Sequence, residues 1–298
     1  MSVDLLTKHP CFSKEASKHY GRIHLPVAKK CNISCNYCNR KYDCMNESRP
    51  GVTSEILSPE SALERLKSAV KAFPYLSTIG IAGPGDSLAN PDATFKTLEL
   101  VKQEFPSFHL CLSTNGLMLA DYANHLIDLE VGYITITINT INPKIAEKIY
   151  RRVRFKGVTY RGKEAAKLLL ERQQEGLSKL AGKKTFIKIN TLLIPGLNTQ
   201  EQIEPVAKRV KRLGAHLVNV MPLIPAPGSI FEDYEGPGEE QINDVRLAIG
   251  HNIELMTHCR QCRSDAMGLL GENHCTKEIE TNTCTPKLGL LNKLGSIK

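Results

Sequence analysis

Residues 30–39, KCNISCNYCN, carry Cys31, Cys35 and Cys38 at the spacing C-x3-C-x2-C. Three thiolates this close together suit a metal cluster. They are one short of the four terminal ligands that a four-iron cubane asks for, so one iron is left open to a ligand from outside the loop. A zinc loop and a ferredoxin-type cluster are the other readings of three neighbouring cysteines. Zinc sites favour paired C-x2-C arms, and ferredoxins supply a fourth nearby cysteine in another register.

Such a loop needs elements that hold it. Residues 22–28 (RIHLPVA) read as the strand that delivers the chain into it, after an N-terminal arm, 1–20, that carries Cys11. Residues 42–57 have mixed charge, Pro50-Gly51 and no period, so they read as a loop containing Cys44. A helix follows with Ser58 as N-cap and Pro59 at its first position, burying Leu66 and Val70. Strand 78–82 runs into GPGD (83–86), and Asn90-Pro91 caps the next helix. Strand 108–113 ends in Thr114-Asn115-Gly116 and a helix covers 120–129. Strand 133–139 leads into a long insert, with a basic turn at Arg151, Arg152 and Arg154 and a helix over 163–180. Strand 186–193 precedes a helix with a Thr199–Gln202 capping box and a stop at Gly214, and strand 216–221 ends the series.

Six strand–helix units argue for an α/β fold with a parallel sheet and right-handed crossovers. Six fall short of a closed eight-fold barrel; the pattern resembles the partial (β/α)6 TIM-like barrel of the radical S-adenosylmethionine (SAM) superfamily, here over 21–255. Cysteine-bearing extensions flank it, the arm at 1–20 and a tail at 256–298. Chemistry in such barrels gathers at the C-terminal strand ends. Strand period places His24 opposite Ile23 and Leu25, and Cys111 opposite Leu110 and Leu112. With the apolar sets packed on outer helices, His24 and Cys111 both point inward, and Cys44 is near enough in sequence to the loop to join them as a second metal site.

In the tail, Cys259 and Cys262 form a C-x2-C arm. Zinc completed by Cys275 and Cys284 is one reading, and an iron–sulfur cluster with Cys11 as third thiolate is the other; spacing does not choose between them. Ten cysteines in a chain without a signal-peptide core or an apolar run of about 18 residues point to metal ligation in a reducing cytoplasm rather than to disulfides. Net charge +8 suits solubility or anionic cofactors, and with 6% aromatic residues and no basic repeat nucleic acid is not expected. The expected form is a monomer away from membranes.

The strings 9–44 (HPCFSKEASKHYGRIHLPVAKKCNISCNYCNRKYDC) and 259–272 (CRQCRSDAMGLLGE) resemble the NifB family of nitrogenase cofactor maturases, over about 9–272. The resemblance implies three [4Fe-4S] clusters. One binds SAM through Cys31, Cys35 and Cys38; one substrate cluster sits on His24, Cys44 and Cys111; the other sits on Cys11, Cys259 and Cys262. The two substrate clusters are fused, with a carbide from a SAM methyl group and an added sulfur, into an eight-iron precursor of the nitrogenase cofactor. SAM is expected to meet Tyr37, Gly83, Gly85, Asp86, Ser113, Asn115, Thr137, Asn139, Asn190, Leu192 and Met221, residues of the strand ends and the loops after them. Where many relatives have Gly-Gly-Glu, this chain has Gly83-Pro84-Gly85-Asp86. Many relatives also carry a further C-terminal cofactor-binding domain; this chain stops at Lys298, so carrier proteins are expected to take the product, besides cluster-donating proteins and an electron donor such as a ferredoxin. A maturase with auxiliary clusters acting on an organic substrate, and an iron–sulfur electron carrier without SAM chemistry, are the competing functions.

Overall fold

The computed structural model describes residues 8–272 and 274. Six parallel strands form its centre: β1 (Gly21–Pro26), β3 (Leu76–Ala82), β4 (His109–Thr114), β5 (Tyr133–Thr137), β8 (Phe186–Leu193) and β9 (Leu217–Pro222). They lie side by side in chain order, as an unbroken series of right-handed crossovers requires. Two short strands extend the edges: β10 (Glu254–Leu255) runs parallel to β9, and β11 (Met267–Gly268) runs antiparallel to β1. The sheet thus has eight strands, with the expected six-unit partial barrel inside it.

The helices cover one face: α1 (Pro59–Ala72), α2 (Pro91–Glu104), α3 (Leu119–Asp128), α4 (Pro143–Ile149), α5 (Gly162–Leu180), α6 (Gln200–Arg212) and α7 (Glu239–Gly250). The alternating apolar residues Ile23, Leu25, Leu112, Ile134, Ile136, Ile187 and Ile189 pack against them in one core. The intervening residues, His24, Cys111, Thr135 and Asn190, face the concave side.

Several local readings change. The cysteine segment is not all loop: β2 (Ile33–Cys35) pairs with β6 (Tyr150–Phe155), which pairs with β7 (Val158–Tyr160). The basic turn expected at Arg151, Arg152 and Arg154 is therefore a strand, with Tyr150 and Val153 buried beneath exposed arginines. The actual turn is Lys156-Gly157, both at positive φ. Thr199 caps nothing, because its hydroxyl bonds the Glu201 carboxylate, while Gln202 accepts from Asn142. Asn90 likewise leaves its helix end uncapped and spends its side chain on the cysteine loop. Ser58 caps α1 through the Ser61 amide as expected. Cys275 and Cys284 lie outside the described residues. No helix among the described residues is long and apolar enough to cross a membrane.

Candidate metal centre

The backbone of the cysteine segment is gripped from two sides. Asn90 accepts from the Lys30 amide (2.9 Å) and donates to the Lys30 carbonyl (2.7 Å). Gly85 donates to Ala28 (2.7 Å) and Asp86 to Lys30 (2.9 Å) through their amides. A Cβ on Gly85 would lie 2.1 Å from the Lys30 oxygen, so only glycine permits this approach. From the other side, the amide of Asn36 reaches Ile149 and that of Arg154 reaches Asn32.

Held this way, Cys31, Cys35 and Cys38 line a cavity of about 430 Å³, including its open side, that also receives Tyr37, Cys44, Pro84, Asp86, Asn115 and Thr137. Burial pushes the Cys31 thiol up to about 12 and raises those of Cys35 and Cys38. Neutral thiols are therefore the resting form, and thiolates appear when a metal supplies positive charge.

Asp86 lines this cavity with its carboxylate already occupied. It accepts from the amides of Leu88, Ala89 and Asn115 and from the Thr114 hydroxyl. These bonds tie the GPGD turn to the end of β4, so the group anchors the loop and has little acceptor capacity left for a cofactor ammonium. Tyr37 is fully buried; its hydroxyl donates to Asn46 (2.9 Å) and accepts from Asn139 (3.2 Å). Asn139 also donates to Tyr150 and accepts from the Leu192 amide. Asn139 and Leu192 thus knit the cavity floor together and line neither cavity.

A second, larger cavity of about 800 Å³ including its open mouth lies alongside. It collects Cys11, His24, Cys111, Cys259 and Cys262, together with Ser113, Asn190 and Met221. The sheet register explains part of this. His24 on β1 and Cys111 on β4 are both paired with Gly80 of the intervening β3, so they share one layer about 10 Å apart. Gly80 leaves room for the imidazole, since a Cβ there would lie 3.2 Å from His24 Cδ2. His24 Nδ1 donates to the Arg263 carbonyl (2.9 Å), which leaves the Nε2 lone pair for a ligand, the orientation metal-bound histidines adopt. Burial lowers its pKa to about 4, keeping the ring neutral.

The arm and tail close this cavity. His258 bonds the Pro10 carbonyl, and Arg22 of β1 donates to the carbonyls of Gly268, Leu269 and Glu272 and, at 3.0 Å, to Cys262 Sγ. Burial raises the Cys11 thiol to about 11 and that of Cys111 to about 12, with Lys188 pulling both the other way. A soft thiolate set beside a pre-oriented imidazole and buried cations fits anionic iron–sulfur clusters. Among the described residues no three His, Cys, Asp or Glu side chains converge on a single metal ion.

Cys44 is placed otherwise than His24 and Cys111. It lines the cavity of the cysteine loop, where burial chiefly raises its thiol and Glu47, Cys38 and Cys31 push the same way. Among the described residues only Asn46 and Glu47 line both cavities, so the segment after Cys44 is the wall between them. Glu47 was invisible to sequence reasoning. Its carboxylate is buried, its Oε2 has no partner, and burial together with Asp86 and Asp43 raises its pKa well above the usual range. The signal available was its position, three residues after a candidate ligand cysteine in an otherwise polar loop.

Residues 25–222 match the Radical SAM superfamily. Over 279 residues the chain is 47% identical to the FeMo cofactor biosynthesis protein NifB of Frankia alni, covering 91% of this chain and 54% of that protein. It is 46% identical over 267 residues to the protein of the same name from Chlorobaculum tepidum, covering 90% and 63%. The chain thus spans between half and two thirds of the length of these relatives. Among solved structures, a radical SAM methyltransferase from Sphaerobacter thermophilus superposes with a TM-score of 0.56 at 18% identity, covering 78% of this chain and 64% of that one. SuiB of Streptococcus suis superposes at 0.58 and 11%, covering 81% and 50%. At these identities the structures speak for the fold.

Proposed function

Because the chain belongs to the radical SAM superfamily, we propose that it works as a NifB-type maturase. In this reading it fuses two [4Fe-4S] substrates, with a carbide from a SAM methyl group and an added sulfur, into the eight-iron precursor of the nitrogenase cofactor. One observation carries the reading: Cys11, Cys259 and Cys262 face the same cavity as His24 and Cys111, next to the cavity of Cys31, Cys35 and Cys38. A simple electron carrier has no use for a chamber that two ligand sets share beside a third.

Cys31, Cys35 and Cys38 would hold the cluster that binds SAM, and together these groups would supply methyl transfer in one mode and radical hydrogen abstraction in the other. Asn115 and Thr137 offer polar contacts to SAM, while Asp86, Gly83 and Gly85 hold the loop that shapes its seat. Asn115 Nδ2 is bonded to Asn32 (2.7 Å) and lies 3.8 Å from Cys31 Sγ, so it also orients the first cysteine. Cys11, Cys259 and Cys262 hold one substrate cluster. His24 and Cys111 anchor the other, with Cys44 at the wall as their partner by resemblance. Three protein ligands per cluster leave an iron open for joining, and a neutral imidazole is a weaker anchor than a thiolate, which suits a cluster that must leave. Asn190 and Met221 line the substrate side. The chemistry further requires an external one-electron donor such as a ferredoxin, cluster-donating proteins and carriers for the product.

Anaerobic reconstitution followed by SAM and dithionite tests this. The chain should hold about twelve irons, four for each of three cubanes. It should release both S-adenosylhomocysteine and deoxyadenosine, and pass label from methyl-labelled SAM into an acid-labile product. Cys262→Ala should lose the homocysteine by-product and all label transfer. Deoxyadenosine alone, with no label in any cluster, would refute the reading.

A further inference from the structure

The second cavity contains two nitrogen donors that bond to no anionic group among the described residues. His9 accepts the Cys11 amide at Nδ1 (3.0 Å), so its neutral ring carries the proton on Nε2. That atom is buried and has no hydrogen-bond partner. Lys188 is 7% exposed; its Nζ lies 3.8 Å from Met256 Sδ and 5.1 Å from the centre of the Phe12 ring, both uncharged. Both residues line the cavity beside Cys11, Cys111, Cys259 and Cys262. Phe12, beneath Lys188, packs in one cluster with Cys11, Cys111 and Cys259, so Lys188 stands where cysteines of both candidate ligand sets meet.

Leaving a buried N–H without an acceptor is costly, and leaving a buried ammonium without a counter-charge is costlier still. A fold that keeps both side by side has an acceptor in view. Thiolates of the lining cysteines are shared with iron, so the acceptor that remains is the inorganic sulfur of whatever those cysteines hold. We propose that Lys188 and His9 form an anion-binding subsite between the two ligand sets, donating hydrogen bonds to inorganic sulfide and steadying the negative charge that accumulates when two clusters are joined. The presence of clusters in this cavity rests on the function proposed above; the role of these two side chains does not follow from it.

Hydrogen bonds to cluster sulfur and nearby charge both set the reduction potential. The full chain, reconstituted anaerobically, is titrated by EPR, following the cluster signal that does not respond to added SAM. Lys188→Met should move its midpoint to more negative values, and so should His9→Phe, which keeps the ring contacts with Phe12 and Tyr133. Lys188→Arg and His9→Gln, which restore a donor, should recover most of the shift. Independently of any variant, the native chain labelled with 15N-lysine should show a weak 15N coupling to that cluster by pulsed EPR. Unchanged midpoints in Lys188→Met and His9→Phe at full iron and sulfide content, or absence of the 15N coupling in the native chain, would overturn the inference alone. If every cluster signal of the native chain responds to SAM, the proposed function fails and this inference with it.

Discussion

Gly85→Ala is the sharpest perturbation of the cysteine loop that leaves every candidate ligand in place. The new methyl would sit 2.1 Å from the Lys30 oxygen, 2.6 Å from its carbonyl carbon and 2.7 Å from the Ala28 oxygen, all backbone atoms with no rotamer to escape into. Separation to an ordinary contact takes a shift of about 1 Å, enough to break the Gly85–Ala28 and Asp86–Lys30 hydrogen bonds. Two lost bonds at about 1 kcal/mol each, with about 1–3 kcal/mol of overpacking, give about 3–5 kcal/mol. That is a large share of the 5–15 kcal/mol typical of a domain, and on the order of 10 °C in Tm. Denaturant unfolding of the cluster-free chain and iron analysis after reconstitution provide the two readings. Gly250→Ala is the control: its Cβ meets only Leu255 Cδ1 at 3.5 Å, at the end of a helix where alanine is preferred. If Gly85→Ala unfolds within about 0.5 kcal/mol of the parent and fills the cysteine loop normally, the proposed grip on that loop is wrong.

Asp86→Asn presents an amide NH2 to donors that now share a carboxylate, and should cost about 1–3 kcal/mol by denaturant titration. Because burial holds Cys31 and Cys111 near 12, their thiols are protonated at neutral pH, so loading a cluster on three cysteines should release about three protons. Iron uptake at fixed sulfide should strengthen as pH rises from 6.5 to about 9, and a dye assay showing no proton release would contradict the buried-thiol picture. Cys35→Ala should abolish deoxyadenosine formation while iron remains in the second cavity, measured by chromatography and iron content.

The strand ends were legible because alternation is local. Ile134 and Ile136 against Thr135 and Thr137, or Ile23 and Leu25 against His24, declare two faces without reference to the rest of the chain. The β6–β7 hairpin was not, since adjacent Arg151 and Arg152 are both exposed and blur the period of two. Helix α7 escaped notice because only Val245 and Ile249 of its twelve residues are buried. Side chains that change employment through a distant neighbour are illegible in principle. Asn90 reads as a cap until Lys30 arrives, and Thr199 until its own Glu201 turns back on it. The cysteine loop announced itself by spacing, whereas Glu47 belongs to the site only because the fold runs its segment between two cavities.

The reach of Arg22 has a consequence for the order in which the molecule can be finished. Its bonds to Cys262 and to the backbone of 268, 269 and 272 span 240 to 250 positions. Every residue lining the cysteine-loop cavity has been synthesised by Thr137, while the second cavity waits for a stretch that ends at Leu270. At the ~5–20 residues per second of translation, that interval lasts on the order of ten seconds. During it the residues that brace the first cavity, β6 and Leu192, are added, and Cys11 and Cys111 still lack the tail that will enclose them. Chain order therefore lets the cavity of the cysteine loop be completed before the second cavity can close.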